Sequence, residues 1–377
     1  MKRWEVLLLK GLFSVEYLVL ACLLPYRRNM ITFVSSRSDE MTVGMKILYE
    51  EMKENKEVDV RTCIYGRNKK RLSKFYKAIR SVYLIARSGI VIVDDHFYPL
   101  NALAIKFKRN KVIQIWHAAG ELKKFGNSLN KVKTYIPHKN YDFVCVNQMK
   151  DIPFYAQALG VEKSQVRVTG SLQLYVQTLH DKACENRIIY APTYRNGEHA
   201  SCLSMAEELV SEFEKAETGY ELILSLHPYL EGEKNEKLQH YISKQDIHSF
   251  LSEGAILITD YSSLILDFSY FERPILILAP DFEAYKSNPG FFDEQFYAKY
   301  NLPMFASASE LIQQLKSAGA KIDSQPAKKI KQEEFSRQTI DAKNNVLQLI
   351  NCLQLEEERQ VYDGFRQRGK KHSSNTQ

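Results

Sequence analysis

Short apolar runs alternate with amphipathic stretches along most of this chain. From Met30, the segment ITFVSS is apolar and then turns polar, and MTVGMKILYEEMKE follows with apolar residues at helical spacing. A strand, a polar loop and a helix in this order begin an α/β unit. Runs that are apolar throughout are typical of parallel strands covered on both faces. Runs of nearly this kind are GIVIVDD (89–95), KVIQIWH (111–117), YDFVCVN (141–147) and QVRVTG (165–170), and a further strand is plausible at VDVRTCIYG (58–66).

The same pattern restarts near residue 187, where four apolar runs each precede or lead into a polar loop: RIIYAPTYR, YELILSLHP, AILITDYSS and PILILAP. The order of elements predicts an α/β protein with two Rossmann-like, doubly wound domains, at residues 29–175 and 176–355. The second domain would end in a closing helix at Glu333–Leu355, and residues 356–377 would form a polar, disordered tail. Ligands of such sheets bind outside the carboxyl ends of the strands, so we expect the two domains to face an active-site cleft.

Residues 1–28 follow a different pattern, a long apolar stretch that Lys10 and Glu16 interrupt and basic residues flank. A signal peptide has an unbroken apolar core, and charges within a membrane-spanning helix are costly. We therefore expect a membrane-associating helix that lies in the interface, with Trp4 and Tyr17 as amphipathic anchors. A true membrane span and a buried first helix of the N-terminal domain are the alternatives.

The segment from Lys69 to Arg80 is rich in cationic residues, with Phe75, Tyr76 and Ile79 between them. It is either a solvated helix face or a patch that faces a membrane or phosphates. The formal net charge of +7 fits anionic lipids and phosphorylated substrates as well as nucleic acid, and no nucleic-acid-binding motif is present. The six cysteines form no CxxC pair, which favours free thiols in a reducing compartment.

The candidate catalytic residues follow the ends of predicted strands. His117 is the first polar residue after the run IQIW, and Gly120, Lys123 and Lys124 come soon after it. An imidazole in this place can take a proton near neutral pH, and small neighbours let a phosphate come close. A satisfied structural histidine is the alternative.

Three further polar residues follow strands of the second domain. Thr193 and Arg195 end the segment APTYR, and a guanidinium suits bidentate phosphate binding, although an ion pair is the alternative. His227 follows an apolar strand directly and precedes a proline that stops it. Its imidazole would either donate to a phosphate oxygen or cap the strand end.

The segment TDYSS places Asp260, Ser262 and Ser263 between a strand and a helix. Hydroxyls and backbone N–H groups at a helix N-terminus can bind an anion, and a plain serine N-cap is the alternative. Asp267 and Glu272 further along could hold ribose hydroxyls. No Walker loop, GxGxxG or DxD motif is present. The two aspartates of VDDHF are adjacent rather than spaced, so we do not predict a metal site there. We predict no cofactor and leave open whether Mg²⁺ assists.

Taken in order, WHAAGELKKFG, APTYR, LHP and TDYSS resemble the motifs of the CDP-glycerol glycerophosphotransferases of teichoic acid synthesis, over roughly residues 30–350. The resemblance implies the glycosyltransferase-B architecture of two Rossmann domains. The first motif differs from the WHG-T-P of the long polymerases and looks more like that of the teichoic acid primases. This departure leaves a second-unit transferase or a short polymerase as alternatives.

The resemblance also implies a reaction. Glycerol phosphate would pass from CDP-glycerol to undecaprenyl-diphosphate-linked ManNAc-GlcNAc, with release of CMP, on the cytoplasmic face of the cell membrane and within a possible wall-polymer complex. His117 would be the general base, and His227 would stabilise the diphosphate. The implied substrate-binding residues are Thr193, Arg195, Asp260, Ser262 and Ser263, with Gly120, Lys123 and Lys124 facing the acceptor or phosphate. A nucleotide-sugar glycosyltransferase and a non-catalytic membrane scaffold are the rival functions.

Overall fold

The structure of the chain is a computed structural model. It describes residues 3–66, 70–120, 122–129, 137–180, 186–193, 195, 199–226, 236–318 and 322–355. Three features predicted from the sequence lie outside these residues: the catalytic histidine His227, the thiol of Cys184 and the polar tail at 356–377.

The first compact unit comprises Met1–His117, Gly126–Leu172 and Asp341–Gln377. Its sheet has six parallel strands in the order β2-β1-β3-β4-β5-β6, which confirms the strands predicted from the apolar runs. All six residues of the central strand β3 are buried, as its continuous apolar run indicates. The strands are β1 (Arg27–Ser35), β2 (Asp59–Ile64), β3 (Ser88–Val93), β4 (Lys111–Gln114), β5 (Phe143–Val146) and β6 (Val166–Val168).

The helices of this unit are α1 (Arg3–Leu23), α2 (Val43–Lys53), α3 (Arg71–Arg87), α4 (Tyr98–Asn101), α5 (Ile152–Leu159) and a C-terminal helix over residues 342–355. This last helix was expected to close the second domain, and here the structure differs. Lys343 forms an ion pair with Glu51 of α2 at 2.9 Å, and Asn345 donates a hydrogen bond to the carbonyl of Thr169 at 3.0 Å. The helix over residues 342–355 therefore packs on the first unit.

Helix α1 packs along one side of the first unit. The Tyr17 hydroxyl donates to the side-chain oxygen of buried Asn110 at 2.6 Å, and the Ser14 hydroxyl accepts from the backbone N–H of Ala104 at 2.9 Å. Val6, Phe13, Tyr17 and Ala21 are buried on this face. By length and composition alone, Trp4–Leu23 could cross a membrane. The opposite face is exposed and apolar: Trp4, Leu7, Leu8, Leu12, Val15, Val19 and Leu23.

The second compact unit comprises Ala118–Phe125 and Gln173–Ile340, so its start differs slightly from the expected boundary at residue 176. Its sheet has five parallel strands in the order β11-β10-β9-β7-β8. The strands are β7 (Arg187–Ala191), β8 (Glu221–Leu224), β9 (Gly254–Thr259), β10 (Ile275–Leu278) and the short, unpredicted β11 (Met304–Phe305). The helices are α6 (Leu172–Gln177), which crosses the boundary, α7 (His199–Glu214), α8 (Glu236–Gln239), α9 (Ile247–Phe250), α10 (Leu264–Ser269), α11 (Phe282–Ser287), α12 (Phe296–Lys299), α13 (Ala308–Ala318), α14 (Gln325–Glu334) and α15 (Arg337–Ile340).

Both faces of the second sheet are covered by helices. Ile189 and Leu257 belong to a core with residues of α10 and α14, whereas their neighbours Ile188 and Ile256 belong to another core with residues of α7 and α13. Successive side chains of a strand point to opposite faces, so strands covered on both sides are apolar at every position. This arrangement explains the unbroken apolar runs from which the second domain was predicted.

Candidate active site

Three neighbouring strands of the first sheet place polar side chains together at their carboxyl ends. Strands β1, β3 and β4 lie side by side, and Arg37, Asp95 and His117 follow them in turn. An Arg37 guanidinium nitrogen lies 3.4 Å from a carboxylate oxygen of Asp95, and the same oxygen lies 3.9 Å from Nδ1 of His117. The His117 side chain is 17% exposed and the Asp95 side chain 12%. His117 therefore lies at a partly buried strand end, beside the carboxylate of Asp95, which is itself paired with Arg37.

The hydrogen bond at Nδ1 determines which tautomer the neutral His117 ring adopts. Nδ1 lies 3.0 Å from the backbone carbonyl oxygen of Asp94. Because a carbonyl oxygen can only accept, Nδ1 carries the proton and the basic lone pair is on Nε2. This is the form of imidazole that takes a proton from a hydroxyl group.

Buried Gln114 links the loop after β3, which carries Asp95, to the loop after β4, which carries His117. The Gln114 side chain donates to the backbone carbonyl of Asp95 at 3.2 Å and accepts from the backbone N–H of Trp116 at 2.9 Å. Trp116 has a φ of 51°, in the left-handed region that a bulky residue rarely adopts. Such backbone strain persists only where the surroundings over-determine it, and here it turns the chain immediately before His117.

The residues that follow His117 belong to the second unit. Lys123 pairs with Phe291 in an antiparallel bridge, and the backbone N–H of Lys124 donates to the carbonyl of Gly290 at 3.1 Å. Ala119 and Leu122 are buried in the core that contains α10. The segment Ala118–Phe125 is thus an integral part of the second unit, although it follows a strand of the first.

Gly120 approaches α10 more closely than any other residue type could. A Cβ at this position would lie 2.5 Å from a side-chain methyl carbon of Leu266, and the φ of Gly120 is +71°. Leu266 lies three residues after Ser263. The segment of the first motif and the TDYSS segment therefore come together in the second unit, which the sequence could not show.

Arg195 occupies a buried ion-pair network in the second unit. Its guanidinium makes two hydrogen bonds to Asp281, at 2.7 and 2.8 Å, and lies 3.0 Å from the carboxylate of Asp260. The side chain of Arg195 is 5% exposed and that of Asp260 is 0% exposed. The structure therefore contains the ion pair that was the alternative for Arg195, in a buried rather than a surface form. Direct contact of Arg195 with a phosphate stays a prediction.

The carboxylate of Asp260 is also buried and has partners within the second unit. One oxygen accepts the backbone N–H groups of Thr193 and Tyr261, at 2.7 and 2.6 Å, and the other faces Arg195. These contacts give Asp260 a structural role, and its predicted contact with the substrate stays a prediction. Asp260 joins the loop after β7 to the loop after β9.

Asp281 completes this network. Burial raises the pKa of its carboxyl, but the hydrogen bonds from Arg195 and Tyr261 and the charge of Arg195 outweigh burial, and the pKa lies below its ordinary value. The Tyr261 hydroxyl donates to Asp281 at 2.8 Å, and the Arg195 guanidinium lies 5.3 Å from the Tyr261 ring centre. The loops after β7, β9 and β10 are thereby tied together.

The hydroxyl groups predicted to bind phosphate lie beside this network. The Ser262 hydroxyl accepts from the backbone N–H of Leu264 at 3.3 Å, and Ser263 makes no side-chain capping bond to α10. The Thr193 hydroxyl is buried and has no hydrogen-bond partner among the described residues. Ser262 and Ser263 are partly exposed, so phosphate binding by these two residues stays a prediction.

The two carboxylates considered for ribose binding have partners elsewhere. Asp267 is 1% exposed and accepts from Gln173 at 3.1 Å, and burial raises the pKa of its carboxyl. Glu272 forms an ion pair with Lys331 at 2.6 Å. In the part of the chain that the structure describes, no three His, Cys, Asp or Glu side chains are grouped to hold a metal ion.

Sequence reasoning missed Asp95, Arg37 and Asp281. Each follows the carboxyl end of a strand, as His117 does, so the same rule would have found them. Asp95 had been weighed only as a metal ligand. What the sequence lacked was the order of strands, which makes the loops after β1, β3 and β4 neighbours.

Comparison with known proteins gives the family. The profile described as CDP-Glycerol:Poly(glycerophosphate) glycerophosphotransferase matches residues 16–351. The teichoic acid ribitol-phosphate primase of Bacillus spizizenii is 28% identical over 329 residues, which cover 78% of this chain and 83% of the relative. The teichoic acid glycerol-phosphate primase of Bacillus subtilis is 31% identical over 238 residues, 57% of this chain and 62% of the relative. The chain spans only about half to three fifths of several other relatives, such as the ribitol-phosphate polymerase TarK of Staphylococcus aureus, at 58%.

Solved structures agree on the fold. The wall teichoic acid polymerase TagF superposes with a TM-score of 0.69 at 16% identity, covering 92% of this chain and 97% of that chain. A UDP-GlcNAc 2-epimerase from Neisseria meningitidis gives a TM-score of 0.52 at 11% identity, covering 85% and 98%. The predicted glycosyltransferase-B class with two Rossmann-like domains is confirmed. The match over residues 16–351 shows that this chain belongs to the CDP-glycerol:poly(glycerophosphate) glycerophosphotransferase family, and that it is a phosphotransferase of teichoic acid synthesis.

Proposed function

We propose that this enzyme transfers one glycerol phosphate group from CDP-glycerol to undecaprenyl-diphosphate-linked ManNAc-GlcNAc, with release of CMP, and so primes a wall teichoic acid chain. The observation that carries the proposal is the His117 ring, whose Nδ1 is held by a backbone carbonyl at 3.0 Å while Nε2 is the basic atom. The family profile supports CDP-glycerol as donor, and the glycerol-phosphate primases among the relatives support a priming reaction.

The proposed reaction is a single displacement at phosphorus. Nε2 of His117 takes the proton of an acceptor hydroxyl while that oxygen bonds to the β-phosphorus of CDP-glycerol. The bond from this phosphorus to the bridging oxygen breaks, and CMP leaves with the electron pair. Such transfers depend on positioning and charge stabilisation more than on covalent help from the protein. Lys123 and Lys124 belong to the same unit as Ser262 and Ser263, which supports a joint role at the phosphates.

Transfer of ribitol phosphate from CDP-ribitol is a second candidate. It is favoured by the ribitol-phosphate primase of Bacillus spizizenii, which matches along 83% of its own length, a larger share than the glycerol-phosphate primase of Bacillus subtilis. Both candidates use the same base and the same leaving group, and they differ in the polyol that the donor site accepts.

The donor and the product distinguish these candidates. The purified full chain is incubated with a synthetic disaccharide-diphosphate lipid and with CDP-glycerol, CDP-ribitol or a UDP-sugar. We expect CMP release with CDP-glycerol and a product heavier by one glycerol phosphate. A product that carries ribitol phosphate would support the second candidate, and a ladder would indicate a polymerase. Release of UDP, or no release of nucleotide from any donor, would contradict the proposal and favour a glycosyltransferase or a scaffold.

The lipid acceptor makes a membrane surface the natural place of action, and we propose that α1 and α3 form the membrane face of the enzyme. The seven exposed apolar residues of α1 lie opposite its buried face. Helix α3 packs on α1 and adds exposed Leu72, Phe75 and Tyr76 beside Arg71. Apolar side chains combined with basic ones suit the interface of an anionic membrane.

The docking of α1 supports an interfacial position over a membrane span. The bonds from Tyr17 to Asn110 and from Ala104 to Ser14 tie the middle of the helix to the first unit. A spanning helix would have to give up these contacts and bury Lys10 and Glu16 in lipid, and charges there are costly. A helix that lies in the membrane interface can keep these contacts and leave Lys10 and Glu16 outside the lipid core.

Substitutions on the exposed face of α1 test this proposal. Leu8, Leu12 and Val15 are replaced together by glutamate, which removes apolar area worth about 1.5–3 kcal/mol per fully buried side chain and adds repulsion from anionic lipid. We expect binding to phosphatidylglycerol vesicles, measured by sedimentation, to fall at least about tenfold. Met149→Glu is the matched control, since Met149 is 71% exposed on another part of the same unit. Unchanged binding of the triple variant would show that another surface anchors the enzyme.

A further inference from the structure

We propose that Asp95 is a positioning residue for the base, and that its carboxylate holds His117 in place and stabilises the imidazolium formed during transfer. This inference rests on the proposed role of His117 as general base. It assigns a function to a residue that the resemblance did not mark.

The geometry carries the inference. One carboxylate oxygen of Asp95 lies 3.9 Å from Nδ1 of His117, on the side of the ring where the Asp94 carbonyl accepts the N–H. The other carboxylate oxygen accepts the backbone N–H of His96 at 2.6 Å, which restrains the side chain. The carboxylate thus faces the edge of the ring that stays protonated throughout the reaction.

Arg37 restrains Asp95 from the opposite side. Its guanidinium nitrogen lies 3.4 Å from the same oxygen that faces His117. A neighbouring cation favours the ionised form of a carboxyl group, so the contact with Arg37 favours the charged form of Asp95. The order Arg37, Asp95, His117 follows directly from the order of strands β1, β3 and β4.

The other described titratable groups near His117 do not direct a carboxylate at its ring. Asp94 offers only its backbone carbonyl to the ring, because its carboxylate accepts from Thr42 at 2.9 Å and burial raises its pKa to about 6. Two other histidines lie on the far side of Trp116, whose ring centre is 4.6 Å from that of His117 and 5.7 Å from that of His138. The His96 ring centre is 5.8 Å from that of His138. Among the described residues, Asp95 is therefore the carboxylate aimed at the His117 ring.

The proposed role of Asp95 concerns the positive charge that the His117 ring gains during transfer. When Nε2 takes the proton of the acceptor hydroxyl, the ring carries a full positive charge with N–H groups at both nitrogens. A carboxylate about 4 Å away lowers the free energy of this cation without taking the proton itself. The same carboxylate limits rotation of the ring, so that Nε2 stays directed at the hydroxyl.

The variant Asp95→Asn tests the proposal, because it removes the charge and keeps the shape and the bond to His96. We expect kcat to fall roughly 10- to 100-fold, part of the contribution of a positioned base, while the KM for CDP-glycerol changes by less than about twofold. The acidic limb of the kcat profile should move to lower pH, because the imidazolium loses a stabilising anion and deprotonates more readily.

Asp59→Asn is the matched control. Asp59 also pairs with an arginine at 3.0 Å in the same sheet, but at the amino ends of β1 and β2, far from the strand ends that carry His117. Its partners among the described residues are arginines. We expect its kcat and pH profile to match those of the wild type. An Asp95→Asn enzyme with wild-type kcat and an unmoved acidic limb would overturn the proposal. Equal melting temperatures of Asp95→Asn and Asp59→Asn would show that a fall in kcat does not come from unfolding.

A second measurement is independent of activity. With histidine labelled at Cε1, the NMR signal of His117 is assigned from a His117→Gln variant and titrated in the wild type and in Asp95→Asn. We expect the midpoint of the titration to move to lower pH in Asp95→Asn, and an unchanged midpoint would overturn the proposal. If the wild type releases no CMP from CDP-glycerol but the midpoint moves as expected, the proposed function fails and the Asp95–His117 pair stands.

Discussion

Replacing His117 with alanine should lower kcat for phosphate transfer roughly 10³-fold, within the range that a positioned general base contributes. The ring stands at the carboxyl end of β4 with Nδ1 bonded to the Asp94 carbonyl, so its removal takes away the only proton acceptor that we assign to the reaction. The fold should survive, because the side chain is partly exposed and its described bond is to a backbone carbonyl. CMP release over time measures the loss, and circular dichroism checks the fold.

The control and a rescue experiment sharpen this prediction. His240 is exposed near α8, so His240→Ala should keep wild-type turnover. Free imidazole in the buffer should restore part of the activity of His117→Ala and none of the activity of a variant that fails to fold. Turnover of His117→Ala within about threefold of the wild type would place the base elsewhere, with His227 the next residue to replace.

Much of this arrangement follows from one rule applied to the sequence. Apolar runs without alternation indicated parallel strands, and the residues after them were read as candidate chemistry. The rule located His117, Arg195 and the TDYSS segment correctly at strand ends. It could not show which loops are neighbours, because strand order is set by how the helices pack on the sheet. The pairing of Arg195 with Asp281 depends on β9 lying between β7 and β10.

Helix α1 shows a second limit of the sequence. Both of its faces are apolar, so its pattern fits an interfacial, a spanning or a buried helix. The structure adds the bonds of Tyr17 and Ser14 to the first unit, which no periodicity reveals. Deleting residues 1–24, a simple test of membrane anchoring, would also expose Asn110 and remove part of the core. Substitutions of the exposed face separate anchoring from folding.

The course of the chain around His117 shows a third limit. A strand-based reading assigns residues 118–125 to the first domain, since they follow β4. The structure places Ala118–Phe125 in the second unit through Leu122, Lys123 and the close approach of Gly120 to Leu266. The sequence feature that accompanies this close packing is Ala-Ala-Gly. Its small residues permit close packing but do not indicate which element packs against them.

Replacing Arg195 with alanine should lower the free energy of unfolding by about 3 kcal/mol, because it leaves the buried carboxylate of Asp260 without its cation. We take the lower end of the range for a broken buried ion pair, since Asp281 is 33% exposed and water screens its charge. The variant should also lose most of its activity, as the loops after β7, β9 and β10 lose their common link. Urea denaturation followed by circular dichroism measures the stability.

Arg187→Ala is the matched control for Arg195→Ala. Arg187 lies on β7, the strand that precedes Arg195, and it also pairs with two carboxylates, Glu221 and Glu253, but these are 58% and 35% exposed. Exposed pairs contribute little, so we expect a loss below about 1 kcal/mol. Equal losses in the two variants would show that burial of the Arg195 network contributes nothing to stability.

The pH dependence of the Arg195→Ala effect follows from the lowered pKa of Asp281. A carboxyl group whose pKa is lower in the folded state stabilises the protein above its unfolded value of about 3.9, and this stabilisation is lost as the pH falls through the folded value. The difference in unfolding free energy between wild type and Arg195→Ala should therefore be constant from about pH 5 to 8 and shrink below about pH 4. A difference that stays constant or grows in acid would mean that Arg195 stabilises the second unit by packing alone, without its two carboxylates.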